Sequence, residues 1–289
     1  MRLFAALKIC RNVVFIVNLQ FNLTTSQNRI SMLKTKKPLI LISNDDGYNC
    51  DGILALVTIA RKFGNVVVVA PQIVQSGRSS AITFETPLRA RKHCEEPGLT
   101  VWVVNGTPAD CVKLALDQLL GGRIPDLALS GINHGLNMGV SVLYSGTMGA
   151  AFEACVHEIP SIAFSYGDAR FNVPANGCLA IVENVIARTI EDGLPKGTCL
   201  NVNIPKTVFP LQGIKITTAC MGRWVKEFER RIDPTGEKYY WMTGHYEPND
   251  LNDDTTDVYW TDRGWVSVTP TRVDQTDHQS MEVISDLLL

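Results

Sequence analysis

The sequence predicts an α/β protein: a Rossmann-like, mostly parallel sheet with helices on both faces, followed by a C-terminal extension of antiparallel β-hairpins. Three observations predict it. Short runs rich in Val, Ile and Leu alternate with helix-length segments between Pro38 and Pro205. Those runs are apolar throughout, as in strands buried on both faces, and are too short for core helices. After Pro205 the pattern becomes alternating and aromatic-rich, with glycines between the segments, which is the signature of hairpins.

Taken in order, PLILI (38–42), VVVVA (66–70), VWVV (101–104), DLALS (126–130) and SIAFS (161–165) are the expected strands. The first helix is expected from an Asp51 N-cap through Lys62, with Ile53, Leu54, Leu56, Val57 and Ala60 forming one stripe. Thr107-Pro108-Ala109-Asp110 reads as an N-cap, a proline at the first helical position and an acid at the third, opening a helix that stops at Gly121-Gly122. A third helix is expected from Gly146 to about His157, and a fourth over Asn176 to Glu191. Within the C-terminal region, about 206–289, the segments 237–242 and 264–269 read as hairpin strands, an arm of the kind that packs against a second subunit.

Residues 1–37 are expected to be an N-terminal extension, either disordered or upstream of the native start, with Met32 a natural beginning. The basic residues Arg2, Lys8 and Arg11 surround an apolar run of only about five residues, shorter than a signal peptide's apolar region and far shorter than a membrane span. Residues 38–289 form the expected single folded domain, with about 206–289 its C-terminal hairpin region.

Composition narrows the class. The chain of 289 residues is 45% hydrophobic and 19% charged with a net charge of −2, an ordinary globular balance. That near-neutral charge gives no basic surface for nucleic acid. The eight cysteines show no C-x-x-C pair, so neither a zinc knuckle nor a redox motif is readable, and they fit small core residues in a reducing compartment. The expected location is the cytoplasm.

In an open α/β sheet the ligand lies at the carboxyl ends of the strands. The residues there are Asn44, Asp45 and Asp46 after the first strand, the 71–80 loop containing Ser76 after the second, Asn105-Gly106-Thr107 after the next, and the 131–137 loop with Asn133 and Asn137 after DLALS. Two adjacent carboxylates repel each other, and one pKa rises unless a cation lies between them. An Asp-Asp-Gly after a strand is also ordinary turn chemistry, with Gly47 supplying a positive φ. The convergence of Asp45 and Asp46 with the oxygen donors Ser76 and Asn133 favours a hard divalent cation, Mg²⁺, Mn²⁺ or Ca²⁺, with open or water-filled positions. A second constellation, Tyr144 to Ala151, opens a helix with small and hydroxylated residues and suits an anion, although it lacks the lysine of a Walker A loop.

These residues carry a resemblance. NDDGYNCDG (44–52), APQIVQSG (70–77), NGTPADCVKLAL (105–116), LSGINHGLNMG (129–139) and YSGTMGAAFEA (144–154) are similar, in order, to the signature blocks of the SurE family of survival-protein acid phosphatases. The resemblance implies a 5′-nucleotidase, a phosphoric monoester hydrolase releasing nucleoside and phosphate from nucleoside 5′-monophosphates. It implies one divalent cation, Mg²⁺ or Mn²⁺, on Asp45, Asp46, Ser76 and Asn133. It also implies a phosphate-binding loop at Ser145, Gly146 and Thr147 with Asn137 nearby, and a homodimer or homotetramer. Two departures stand out: Arg78-Ser79-Ser80 replaces a Gly-His pair, and His134 stands where many members have arginine.

In the mechanism this implies, the attacking group is either a water with Asp45 as base or an Asp carboxylate that forms a phosphoenzyme. Two other readings use the same residues. A phospho-receiver domain also sets an acidic pair after its first strand, but it needs a third Asp after a central strand, where Gly131-Ile132-Asn133 stands here. A non-catalytic oligomeric nucleotide- or metal-binding protein would share the pocket and differ only in turnover.

Overall fold

The structure, a computed structural model, describes residues 37–168, 177–206 and 211–289. The extension expected over 1–37 lies, apart from Lys37, outside the described residues, as does Asn176 at the expected start of the fourth helix.

The first half follows the apolar runs. Strand β1 (Leu39–Ser43) leads to helix α1 (Asp51–Ala60), then β2 (Asn65–Pro71), β3 (Ala90–Glu96), β4 (Leu99–Val104) and α2 (Pro108–Leu114). After β5 (Leu127–His134) and a 3-10 turn (Gly139–Tyr144) come α3 (Gly146–Val156), β6 (Ser161–Tyr166), α4 (Cys178–Asp192) and β7 (Thr198–Ile204). The C-terminal part holds β8 (Ile214–Ile216), β9 (Gly222–Val225), β10 (Phe228–Ile232), β11 (Lys238–Met242), β12 (His245–Pro248), α5 (Asp257–Thr261), β13 (Val266–Arg272) and α6 (Met281–Leu288).

One nine-stranded sheet has the order β3-β4-β2-β1-β5-β6-β7-β13-β8. The pairs from β4 through β7 are parallel, while β3 on β4 and β13 on β7 are antiparallel. Alternate side chains of β1 enter opposite cores: Ile40 and Ile42 pack with Ile53 and Leu56 of α1 and with Val182 and Ile186 of α4, whereas Leu39 and Leu41 pack with Cys111 and Val112 of α2 and Ala150 and Ala154 of α3. Burial on both faces is why PLILI and VVVVA show no polar alternation.

Helix starts follow local chemistry. Thr107 caps α2 in a reciprocal capping box with Asp110, with Pro108 at the first position, and Ser145 caps α3 through the Met148 N–H. The α2 turn continues through Ala115–Leu119 before Gly121 and Gly122 end it with positive φ. At α1 the expected cap is corrected by one residue: Cys50 occupies the N-cap position and Asp51 lies in the first turn, where its charge complements the helix dipole.

The C-terminal expectation holds for 237–242, which is β11 paired antiparallel with β10, and the ribbon continues through β9 with β12. The 264–269 segment is different. As β13 it joins the central sheet, antiparallel to β7 and parallel to β8. Val266, Ser267, Val268 and Thr269 are all buried, so the first half of this strand has no solvent face and is not half of an exposed hairpin.

Asp257 ties this C-terminal part to the sheet edge. Its fully buried carboxylate accepts the N–H groups of Gly139 at 2.8 Å, and of Cys220 and Val258 at 2.9 Å. Burial pushes its pKa up and the three N–H bonds oppose that push. Asp257→Ala leaves three buried donors unpaired and is expected to lower stability by about 3 kcal/mol, with a smaller loss for Asp257→Asn. Urea denaturation measures it, and a loss below about 1 kcal/mol would show that the clamp carries little.

Candidate active site

The sheet reverses direction at β1. From β1 the chain moves outward to β2 and β4, then returns to place β5 on the other side of β1. Such a switch point leaves a crevice at the carboxyl ends of the two flanking strands. Register puts Ser43 beside Ser130, so Asp45 and Asp46 emerge next to the end of β5. That strand runs past the end of β1 alongside β6, with an irregular register between Ser130 and Asn133 at a cis Gly131-Ile132 peptide. Gly52 of α1 packs directly on this bend, where a Cβ would lie 2.0 Å from the Ile132 carbonyl oxygen.

Asp45 is the buried member of the pair, 4% exposed. Its Oδ1 accepts the Thr147 hydroxyl at 2.6 Å, and its carbonyl accepts the Gln75 N–H at 2.7 Å. Burial, first of all, raises its pKa to about 6; the Thr147 bond opposes the shift and the Asp46 charge adds to it. The repulsion expected from the adjacent carboxylates is therefore present but secondary to desolvation. Gly146 completes the contact, since a Cβ there would lie 2.9 Å from the Asp45 Cβ.

Asp46 is partly exposed and accepts the His134 backbone N–H on Oδ2 at 3.1 Å. That bond brings the β5 end, and with it Asn133, to the carboxylate pair. The Asn133 amide nitrogen donates to Gly135 O at 2.8 Å, which leaves its carbonyl oxygen as the donor atom for a cation. Ser76 is exposed and follows Gln75, whose N–H holds the loop to Asp45. Gly47 has a φ of 97°, so the turn chemistry is real and coexists with the carboxylate cluster. Carboxylates, an amide oxygen and a hydroxyl are hard-oxygen donors of the chemical type that suits a hard divalent cation. The fully buried Asn44 beside them has an Oδ1 with no hydrogen-bond partner among the described residues.

The helix start lies against this set. Ser145 spends its hydroxyl oxygen on the Met148 N–H, and Thr147 spends its hydroxyl on Asp45. The backbone N–H groups of Gly146 and Thr147 have no acceptor among the described residues, and they carry the positive end of the α3 dipole. The 76–80 loop is clipped over α3: Ser79 donates its N–H to Tyr144 O at 3.0 Å and its hydroxyl to Leu143 O at 2.6 Å.

Asn137 sits in a different set of contacts. It is buried, its amide nitrogen donates to Ser165 Oγ at 2.8 Å, and its backbone is clasped by Asn203, which accepts its N–H at 2.7 Å, and by Asn201, which donates to its carbonyl at 2.7 Å. Asn201 and Asn203 escaped the reading of the sequence. The signal was there: two amides spaced by two in an otherwise apolar strand share one face and must find partners once buried.

The Asp45 shift has a sign. Its folded pKa, about 6, lies above the ordinary 3.8, so the neutral form is favoured in the folded chain. The stability this contributes is complete below the ordinary value and is lost as pH rises through about 6. Chelator-treated protein is expected to lose roughly 2 to 3 kcal/mol between about pH 4 and pH 7 from this group, a loss removed in Asp45→Asn. Urea melts of the two proteins at both pH values test it; parallel pH slopes would refute the assignment.

Comparison with known proteins places the chain. The family model described as Survival protein SurE matches residues 40–226. The chain is 45% identical over 244 residues to a protein named 5′-nucleotidase SurE from Cytophaga hutchinsonii, covering 84% of this chain and 94% of the relative. A protein of the same name from Bacteroides thetaiotaomicron is 42% identical over 244 residues, covering 84% of this chain and 93% of the relative. The crystal structure of the SurE protein from Aquifex aeolicus superposes with a TM-score of 0.73 at 37% identity, covering 86% of this chain and 99% of that one. With a matching family model over most of its sheet, and relatives similar along nearly their whole length, this chain belongs to the SurE family.

Proposed function

We propose that this protein is a metal-dependent 5′-nucleotidase that hydrolyses nucleoside 5′-monophosphates to nucleoside and phosphate. The observation that carries the reading is the bond from Thr147 Oγ1 to Asp45 Oδ1, which joins the carboxylate pair to an anion-binding helix start at the switch point of the sheet. The names of the Cytophaga and Bacteroides relatives support it.

In this reading Asp45, Asp46, Ser76 and Asn133 would hold one divalent cation, Mg²⁺ or Mn²⁺, which would supply positive charge opposite the phosphate. The remaining steps belong to the chain. The N–H groups of Gly146 and Thr147 bind phosphate oxygens, with Ser145 fixing the turn and Asn137 fixing the loop that leads into it. Asp45 accepts the proton of the attacking water, held in place by Thr147, and the buried surroundings keep bulk water from that carboxylate. His134, beside the site in place of the arginine common in the family, adjusts the affinity for phosphate.

Phosphate release from AMP or GMP with Mg²⁺ or Mn²⁺ tests the reading. Asp45→Asn and Asn133→Ala are expected to lower kcat by roughly 100-fold or more, and chelation to abolish turnover until metal is returned. Thr147→Val is expected to raise KM and lower kcat. Full activity in Asp45→Asn, with no effect of chelator, would overturn the metal assignment; nucleotide binding without turnover would leave the non-catalytic reading.

The proposed assembly is a homodimer or homotetramer. Its support is the β9–β12 ribbon, whose Phe228, Ile232, Tyr240, Trp241 and Met242 are exposed on a two-stranded arm that is marginal alone. Light scattering is expected to give at least twice the chain mass of 31.9 kDa, reduced in Trp241→Glu/Met242→Glu; a monomeric wild type would remove this part of the reading. No helix among the described residues is long and apolar enough to cross a membrane. The described cysteines are all free, which supports the cytoplasmic reading.

A further inference from the structure

Beside the hard-oxygen set stands a second group of donors with different chemistry. A carboxylate oxygen of Asp46, Sγ of Cys50 and a ring nitrogen of His134 lie within 4.8 Å of one another, all three residues partly buried. They come from separate elements: the turn after β1, the N-cap of α1 and the end of β5. Hydrolysis as proposed uses neither the thiol nor the imidazole as a ligand.

We propose that Asp46, Cys50 and His134 form a second metal site, selective for a borderline-soft transition metal of the Zn²⁺ class, whose occupation withdraws Asp46 from the activating cation and inhibits the enzyme. Thiolate and imidazole select such ions over Mg²⁺, while the oxygens of Ser76 and Asn133 suit the hard ion. Zinc bond lengths of about 2.0 to 2.3 Å put tetrahedral ligand atoms roughly 3.5 Å apart, so the three groups close by about an ångström, within reach of side-chain torsions. The fourth position is left to water.

The ligands are already oriented by neighbours. Asn44 donates its amide nitrogen to Cys50 Sγ at 3.1 Å, and the His134 N–H holds Asp46 Oδ2 at 3.1 Å. In the metal-free chain Cys50 is a thiol: burial pushes it up to about 12, against the opposing N–H groups of Gly52 and Ile53. Metal binding is therefore an exchange, in which the S–H bond breaks, the S–metal bond forms and one proton leaves to solvent, with no change of oxidation state.

The test reads the metal directly and without substrate, so its result does not depend on the nucleotidase reading. Full-length protein stripped with chelator is titrated with Co²⁺ as a spectroscopic probe, then with Zn²⁺. One Co²⁺ per chain is expected to give a near-ultraviolet thiolate-to-cobalt band that is displaced by Zn²⁺. That band is expected to be absent in Cys50→Ala and Cys50→Ser, with affinity lowered at least about 10-fold in His134→Arg. No band in the wild type, a band retained in Cys50→Ala, or unchanged affinity in His134→Arg overturns the site. For the inhibition, Cys50→Ala is expected to keep its Mn²⁺-supported phosphate release and to need at least about 10-fold more Zn²⁺ for half-inhibition. Equal Zn²⁺ sensitivity overturns the competition for Asp46.

Discussion

The structure around the crevice depends on keeping the Asp45 carboxylate out of water. A carboxyl 4% exposed costs several kcal/mol to ionise unless charge or hydrogen bonds compensate it. The chain supplies one strong side-chain donor, the Thr147 hydroxyl, and a helix start whose backbone crowds close enough to forbid a Cβ at Gly146. The Ser-Gly-Thr order follows from this: Ser145 caps the helix, Gly146 makes room for Asp45, and Thr147 bonds it. One contact thereby ties the carboxylates proposed to hold the cation to the helix start proposed to bind phosphate.

Topology explains why that contact can exist. Asp45 comes from the end of β1 and Thr147 from the start of α3, which follows β5, the strand paired with β1 on the far side of the switch point. The connection from β5 to α3 is held from below. Asn137 is gripped by Asn201 and Asn203 of β7, and Gly139 is held by Asp257, which also pins Cys220 at the base of the C-terminal ribbon. The polar groups of these loops are paired rather than solvated, so the loop enters α3 in one orientation. The ribbon and the active-site loop share an anchor, and a change at one is felt at the other.

Much of this was legible in the sequence, for physical reasons that also mark where reading stops. Strands buried on both faces announce themselves as unbroken apolar runs, and the caps at Thr107 and Ser145 are short-range chemistry. Strand β3 was not among the expected strands because an edge strand is protected by charge: Arg91, Lys92 and Glu95 leave it no apolar run. Strand β7 was masked by Asn201 and Asn203, whose partner lies 64 and 66 positions earlier. Strand β13 alternates in sequence like a hairpin, yet over Val266 to Thr269 both of its faces are covered, since Ser267 and Thr269 find partners inside, as Thr269 does with Thr217. At the site, strand-end chemistry brought Asp45, Asp46 and Asn133 into view. The engagement of Asn137, and the place of Cys50 at a helix cap, required the fold.

Charge arithmetic at the crevice sets an order of events. Besides burial, the groups acting on Asp45 are the Thr147 hydroxyl, Asp46 and its own backbone, with no Lys or Arg among them. A nucleotide phosphate carries up to about two negative charges and meets two carboxylates, against which the partial charge of about +0.5 at one helix start is insufficient. In the proposed reaction phosphate therefore settles on the Gly146 and Thr147 amides only after the carboxylate charge has been offset. The proposed order is cation first and substrate second. For that reason the partners Asp46 takes, hard oxygens or the Cys50 thiol with the His134 imidazole beside it, decide which ion occupies the position on which the proposed contacts depend.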